Sequence, residues 1–335
     1  MIRIAVLGCG RIGKLHAQNV AQHPRAILAA VYDVIPEAAK KLAEAFGCDA
    51  APDVDAIIGS SDVDAVLIAS ATETHADYIE SAARAGKAVF CEKPIDLSLD
   101  RVNRCAAQIA GANVPIQIGF NRRFDPGHRA AYQALKSGKI GTLRQVIITS
   151  RDPSPPPRSY VETSGGLLRD MTIHDFDMAR FMLMDEPIEV FAVTGALIDP
   201  DLATDLGDAD TAMVILRTAD GKQCNINNSR AAAYGYDQRI ELLGETGMAL
   251  SDNRKPHEMR IHDAGTTEAS AAYLNFFVER YREAYVAELD AFIACLENRT
   301  APEVGFEDGR RAQILAEAAY RSIAERRLVG VDELT

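Results

Sequence analysis

The first third of the chain alternates between continuous apolar runs and stretches with helical periodicity. IRIAVL (residues 2–7) stops at Gly8, and a 3.6-residue pattern then runs from Lys14 to Gln22. A second run, Ala26–Tyr32, ends in Asp33. Helix signals follow from Pro36 to Phe46, with proline at the start and Gly47 at the C-terminal cap. DAVLIAS (Asp64–Ser70) reads as a strand, Thr74–Ala85 as a helix stopped by Gly86, and KAVFCEKP (Lys87–Pro94) and PIQIGF (Pro115–Phe120) as further strands. Apolar runs without polar alternation belong to strands buried on both faces, and strands alternating with helices predict a parallel sheet.

After about residue 123 the period changes. TLRQVIITSRD (Thr142–Asp152) reads as a strand, followed by the proline-rich loop PSPPPRSY and a helical stretch, RDMTIHDFDMARF (Arg169–Phe181). Strands are then predicted at Ile188–Ala196, Thr211–Thr218, Lys222–Ser229 and Gln238–Leu243. TADGK, between two of them, carries the Asp-Gly of a tight hairpin turn. Hairpins mean antiparallel pairing, with helices covering one face. Amphipathic helices around Tyr281–Glu297 and Asp308–Arg326 close the chain. The expected architecture is α/β: a dinucleotide-binding domain over residues 1–121, then an α/β domain over 122–335 with a large, mainly antiparallel open sheet.

Composition changes this picture little. The chain has 335 residues, 47% hydrophobic and 25% charged, as in ordinary globular proteins. Its net charge of −12 argues against a nucleic-acid partner, whose phosphates it would repel. No apolar stretch approaches the length of a membrane span. MIRIAVLGCG reads as a first strand, not a cleaved leader, and the six cysteines are scattered without a C-x-x-C pair. A cytoplasmic protein with reduced thiols is therefore expected.

The chemistry begins at Gly8-Cys9-Gly10-Arg11-Ile12-Gly13, a G-x-G-x-x-G between a strand and a helix. In that context Gly8 makes the tight turn, Gly10 admits a pyrophosphate, Gly13 packs helix on strand, and the helix N-terminus, opened by Arg11 and Ile12, faces the negative charge. Asp33, twenty residues past Gly13, can accept from ribose hydroxyls and would repel the 2′-phosphate of NADP. Val34-Ile35-Pro36 offers no arginine to compensate, so NAD is the expected cofactor. Ser70, Thr72 and His75 follow one strand and Glu92 and Lys93 end another, at the carboxyl edge where open parallel sheets bind ligands. His75 reads equally well as a helix-start residue.

No metal site is expected, since the histidines form no H-E-x-x-H set and the cysteines are isolated. A nicotinamide enzyme without zinc takes the hydroxyl proton with a side chain, and histidine suits the task at neutral pH. His174 has Asp170 one turn before it to orient the imidazole, and Asp177 three residues after it to accept from a substrate hydroxyl. The competing reading of this spacing is a solvated helix face. Lys93, held extended before Pro94, can hydrogen-bond a substrate oxygen; its competing reading is a solvent lysine.

GCGRIGKLHA, Asp33, FCEKP (Phe90–Pro94), GFNRRFD (Gly119–Asp125), RDMTIHDFDMARF and YGYDQRIELLG (Tyr234–Gly244) together resemble the glucose–fructose oxidoreductase/inositol dehydrogenase family over nearly the whole chain. The resemblance implies a Rossmann domain followed by an α/β domain whose open sheet commonly builds homotetramers. It implies Lys93, Asp170 and His174 as the catalytic group, with His174 as acid/base, and Arg122, Asp177 and Tyr236 near the substrate. Tyr234 shares the strand parity of Tyr236 and is the weaker candidate. The expected reaction is NAD-dependent oxidation of a cyclic-polyol hydroxyl, with myo-inositol going to scyllo-inosose. An NAD(P)-dependent dehydrogenase of an aldose or of another inositol isomer, an NAD-using glycosidase and a non-enzymatic cofactor-binding regulator remain as alternatives.

Overall fold

The computed structural model describes residues 1–334. They form two compact units: residues 1–121 with 285–313, and residues 122–284 with 314 onward.

In chain order the first unit contains β1 (Ile2–Leu7), α1 (Arg11–Gln22), β2 (Ala26–Tyr32), α2 (Pro36–Phe46), β3 (Asp49–Ala50), α3 (Val54–Gly59), β4 (Ala65–Ile68), α4 (His75–Arg84), β5 (Ala88–Glu92), α5 (Leu99–Ile109) and β6 (Ile116–Gly119). The strands pair in the order β3-β2-β1-β4-β5-β6, all parallel. The order reverses beside β1, which creates the crevice where such sheets bind dinucleotides. β4 is fully buried and Ile4–Leu7 of β1 have no exposure. Gly47 closes α2 in the left-handed conformation at φ +69°.

The second unit contains α6 (Pro126–Lys136), β7 (Leu143–Arg151), α7 (Arg158–Ser164), α8 (Gly166–Asp170), α9 (Thr172–Leu183), β8 (Pro187–Gly195), α10 (Asp201–Leu206), β9 (Thr211–Thr218), β10 (Gln223–Ser229), β11 (Asp237–Gly244) and β12 (Met248–Ser251). After the short pair β13 (Arg260–Ile261) and β14 (Ala269–Ser270) come α11 (Phe277–Arg280), α12 (Arg282–Asn298), α13 (Phe306–Glu325) and β15 (Val329–Gly330). Its seven-stranded sheet runs β12-β11-β7-β10-β9-β8-β15. Every pair is antiparallel except β7 with β10. The Asp-Gly turn lies where expected, joining β9 to β10 with Gly221 at φ +90°.

Burial along β9 alternates strictly, and the period of two splits the sheet into two faces. Val146, Ile148, Val214, Leu216 and Ile226 are buried, and α9 packs on β7 and β10. Ile147, Val193, Met213, Ile215 and Leu250 point the other way and are exposed.

The expected domain 122–335 needs correcting, because residues 285–313 belong with the first unit. Leu289, Phe292 and Ile293 of α12 join Ile4, Leu67 and Phe90 in one core, and Phe292 meets the Phe90 ring edge-on at 5.6 Å. The periodicity of α12 marks an apolar face without saying which sheet that face covers.

Candidate active site

The glycine turn after β1 has the shape its sequence demands. Gly8 sits at φ +100°, and a Cβ there would lie 2.5 Å from the Ala69 carbonyl oxygen. A Cβ on Gly13 would lie 1.9 Å from the Gly8 oxygen, so α1 rests directly on the turn. Gly10 is different: it is exposed, and an added Cβ would meet nothing within 4 Å. Beside that open space the first turn of α1 has no side-chain cap and no acidic residue, leaving its amides to an anion. Arg11 at its start is exposed and Ile12 half-buried. The Asp33 carboxylate is pinned at the same place, one oxygen accepting from the Cys9 amide at 2.6 Å and the other from the Ile35 amide at 2.8 Å. These residues fit a dinucleotide, with the pyrophosphate at the helix and the ribose at Asp33.

Ser70 and Thr72, in the turn after β4, are half-buried, and Ser70 Oγ hydrogen-bonds Thr74 Oγ1 at 2.7 Å. His75 does not offer itself to a cofactor. It is 2% exposed, with Nδ1 2.8 Å from the Pro94 carbonyl oxygen and Nε2 3.1 Å from that of Ser70. Burial pushes its pKa below the ordinary histidine value. The expected cofactor role gives way to a clamp between the ends of β4 and β5. Glu92 has a partner that spacing did not reveal: its Oε1 pairs with His16 Nε2 at 2.7 Å. His16, one turn after Gly13, is fully buried between the edges of Phe90 and Tyr285. This pair ties the phosphate-facing helix to the strand that delivers Lys93. Lys93 follows β5 directly and is half-buried, and its bond to Pro94 is cis.

In the second unit the predicted continuous helix is broken. α8 ends at Asp170, Met171 has φ −95° and ψ −57°, and α9 begins at Thr172. Asp170 closes one helix and His174 stands in the first turn of the next. The solvated-face reading fails, since nine of the twelve residues of α9 are buried. Asp170 is 9% exposed: its Oδ1 accepts from the Tyr160 hydroxyl and its Oδ2 from Arg230 Nη2, both at 2.8 Å. Arg230 also donates through Nη1 to Asp152 at 3.0 Å. Neither Tyr160 nor Arg230 was legible in the sequence, since they lie 10 and 60 residues from Asp170 without a motif.

Asp177, expected as a polyol contact, is 0% exposed, and both its oxygens accept from Arg123, at 2.8 and 2.5 Å. That role is corrected to a buried ion pair, one of two that root α9. In the other, Arg122 donates to Asp175 at 2.6 Å and to Ser150 at 3.2 Å, and Asp175 accepts from Asn228. Burial holds the Asp175 carboxyl above its ordinary value, although Arg122 and Asn228 pull it down. Tyr236 is buried with its ring edge-on to Tyr281 at 6.1 Å, and burial raises its phenol strongly. Tyr234 does not share its face. Gly235 between them adopts φ +115°, β11 starts only at Asp237, and Tyr234 is 43% exposed. Among the described residues no cluster of histidine, cysteine or acidic side chains is arranged to hold a metal.

Residues 2–120 match the oxidoreductase family with an NAD-binding Rossmann fold, and residues 128–250 match the GFO/IDH/MocA C-terminal domain. An inositol 2-dehydrogenase of Rhizobium meliloti is 48% identical over 330 residues, covering 98% of this chain and 99% of its own. The chain belongs to the GFO/IDH/MocA family. A second member, the myo-inositol 2-dehydrogenase of Thermotoga maritima, is 43% identical and covered to 99% on both sides. Among solved structures of the family, the scyllo-inositol dehydrogenase of Lactobacillus casei with bound NAD(H) and scyllo-inositol superposes with a TM-score of 0.91. It is 31% identical and covers 99% of each chain. As a GFO/IDH/MocA member the chain is an NAD-dependent dehydrogenase, and NAD is its cofactor.

Proposed function

We propose that this enzyme oxidises a secondary ring hydroxyl of a cyclic polyol, with myo-inositol as substrate and scyllo-inosose as product. The observation that carries the reading is the fixed carboxylate Asp170, held at both oxygens, four residues before His174 in a chain with a built NAD cradle. The name of the Thermotoga relative supports the same substrate, and that of the Rhizobium relative supports an inositol. NAD, when bound, supplies the hydride acceptor. His174 takes the hydroxyl proton, Asp170 orients and stabilises the imidazolium, and Lys93 hydrogen-bonds the reacting oxygen. Gly8, Gly10, Gly13 and Asp33 hold the dinucleotide, and Ser70 and Thr72 line its path along the strand ends. Arg122 and Tyr236 shape the polyol side through the buried network around Asp175 and Tyr281.

A scan of inositol isomers and aldoses with NAD and NADP, following reduced nicotinamide by absorbance, tests the assignment. The highest kcat/KM is expected for myo-inositol with NAD. A higher value for scyllo-inositol, the ligand of the Lactobacillus structure, would move the substrate to that isomer. No NADH with any free polyol would remove the dehydrogenase reading of the substrate altogether. We propose further that the enzyme works in the cytoplasm as a homotetramer. The free cysteines support the first, and the exposed apolar sheet face around Met213 and Ile215 the second. Light scattering should give four times the chain mass, and Ile215→Asp should lower it; a monomeric wild type would end that reading.

A further inference from the structure

We propose that Arg230 is a positioning residue for the reaction, a cationic bridge that keeps Asp170 ionised and aimed and thereby sets the acid limb of the pH–rate profile. The inference rests on the reading of Asp170 as the catalytic carboxylate.

Arg230 stands immediately beyond β10 and is 7% exposed. Its main chain is fixed by a hydrogen bond that its amide donates to the Asp210 carbonyl oxygen at 2.8 Å. Its guanidinium is divided between two carboxylates, Nη2 on Asp170 at 2.8 Å and Nη1 on Asp152 at 3.0 Å. Asp152 lies just past β7, its amide bonded to the Ser229 carbonyl oxygen at 2.9 Å, so one cation spans the ends of two neighbouring strands and the end of α8. The planar fork suits this double task, which an ammonium cannot reproduce.

Charged and titratable groups act on this corner from several elements: Tyr160 from α7 and Arg230 bond Asp170 directly, while Asp152 past β7 feels Arg230, Asp170 and Arg122. Burial raises the Tyr160 phenol, with Asp170 adding to the effect, so Tyr160 stays neutral and donates its proton to Oδ1. Burial also lifts the Asp152 carboxyl, against which Arg230 pulls, while the Asp170 charge lifts it further. Arg122 is already engaged by Asp175 and Ser150. Arg230 is therefore the cation bonded to both Asp152 and Asp170. Without it, two part-buried carboxylates share one corner, and one of them takes a proton at a higher pH than in the wild type. A protonated Asp170 no longer stabilises the imidazolium, so oxidation fails at pH values where the wild type is active.

The test is the pH dependence of kcat/KM for myo-inositol at saturating NAD, with NAD affinity measured by calorimetry. Arg230→Gln should move the acid limb up by about 1–3 pH units, the range expected when a carboxylate loses an adjacent opposite charge. Its NAD affinity should stay that of the wild type. Adding Asp152→Asn to that variant should bring the limb back down, because the like-charged neighbour is gone. Arg230→Lys should keep the limb close to wild type with a lowered plateau. An Arg230→Gln profile lowered by one factor at every pH, or left unchanged, overturns the proposal and makes the bridge purely structural. Should Arg230→Gln not fold, Arg230→Lys decides, since a wild-type plateau in that variant refutes the need for a two-carboxylate fork. Asp170→Asn separates the two levels of the claim. If it is active, the catalytic reading falls and this inference with it; if it is crippled while Arg230→Gln keeps the wild-type limb, only the inference falls.

Discussion

Replacing Asp177 by alanine distinguishes a substrate ligand from a structural ion pair. The carboxylate has no exposure, Arg123 is 8% exposed, and the two bonds between them measure 2.8 and 2.5 Å. The guanidinium lies over the Phe181 ring at 5.2 Å, and Phe181 stacks on Tyr132 at 4.0 Å, so the cation cannot swing into water without undoing this packing. Removing one partner of a buried pair leaves an uncompensated charge and costs about 3–5 kcal/mol. A domain of this size shifts by about 2–4 °C per kcal/mol, so the melting temperature should fall by about 6–20 °C. The KM for myo-inositol, measured well below the new transition, should stay within a few-fold of wild type. The double variant Arg123→Met/Asp177→Leu should regain most of the lost stability, since no lone charge remains. Calorimetric melting and steady-state kinetics on the three proteins give the answer. An unshifted melt with a tenfold higher KM in Asp177→Ala would refute the reasoning and return Asp177 to the substrate.

Asp33→Ala should raise the KM for NAD and narrow the preference over NADP, and a wild type that already favours NADP would show that this carboxylate does not select the cofactor. Lys93→Ala should leave NAD binding within a few-fold while kcat/KM for the polyol falls by orders of magnitude; poor NAD binding with normal turnover would make Lys93 a cofactor residue. His174→Ala should lower kcat by about 10²–10⁴-fold with the fold preserved, and a near-normal rate would remove it from catalysis. His128 gives a stability prediction: burial pushes its pKa down to about 3. The unfolded imidazole titrates near 6.5, so protons favour the unfolded chain, and stability from His128 is full above about pH 6.5 and drains away as pH falls toward 3. Denaturant midpoints should decline across that window less steeply in His128→Gln than in wild type, and parallel curves would discount the residue.

Sequence alone exposed whatever is local. The G-x-G-x-x-G turn, Gly47 as a helix stop and the period-two strands of the second sheet each depend on neighbours within a few positions, where backbone sterics and burial leave a direct imprint. The dinucleotide end was therefore legible down to Asp33. The polyol end was not. RDMTIHDFDMARF carries its carboxylates at helical spacing, which suggested one ionisable face, yet Asp175 and Asp177 are neutralised by arginines 53 and 54 residues away. Arg230 reaches Asp152 across 78 residues. Charge pairing at that range has no periodicity, and a helix that buries its acids looks the same in sequence as one that solvates them. His75 failed for a related reason, because its partners are main-chain carbonyl oxygens, which every residue possesses.

The return of residues 285–313 to the first unit bears on how the protein is made. A ribosome releases β1 to β6 early, but the segment that covers Phe90 and completes that core arrives only after the whole of β7 to β12 has been synthesised. At about 5–20 residues per second, the parallel sheet waits about 10–40 s for its last layer. During that interval its apolar face is open to chaperones and to other nascent chains. A chain that stops anywhere before residue 285 thus lacks part of both units, since the core around β1 to β6 is closed by α12.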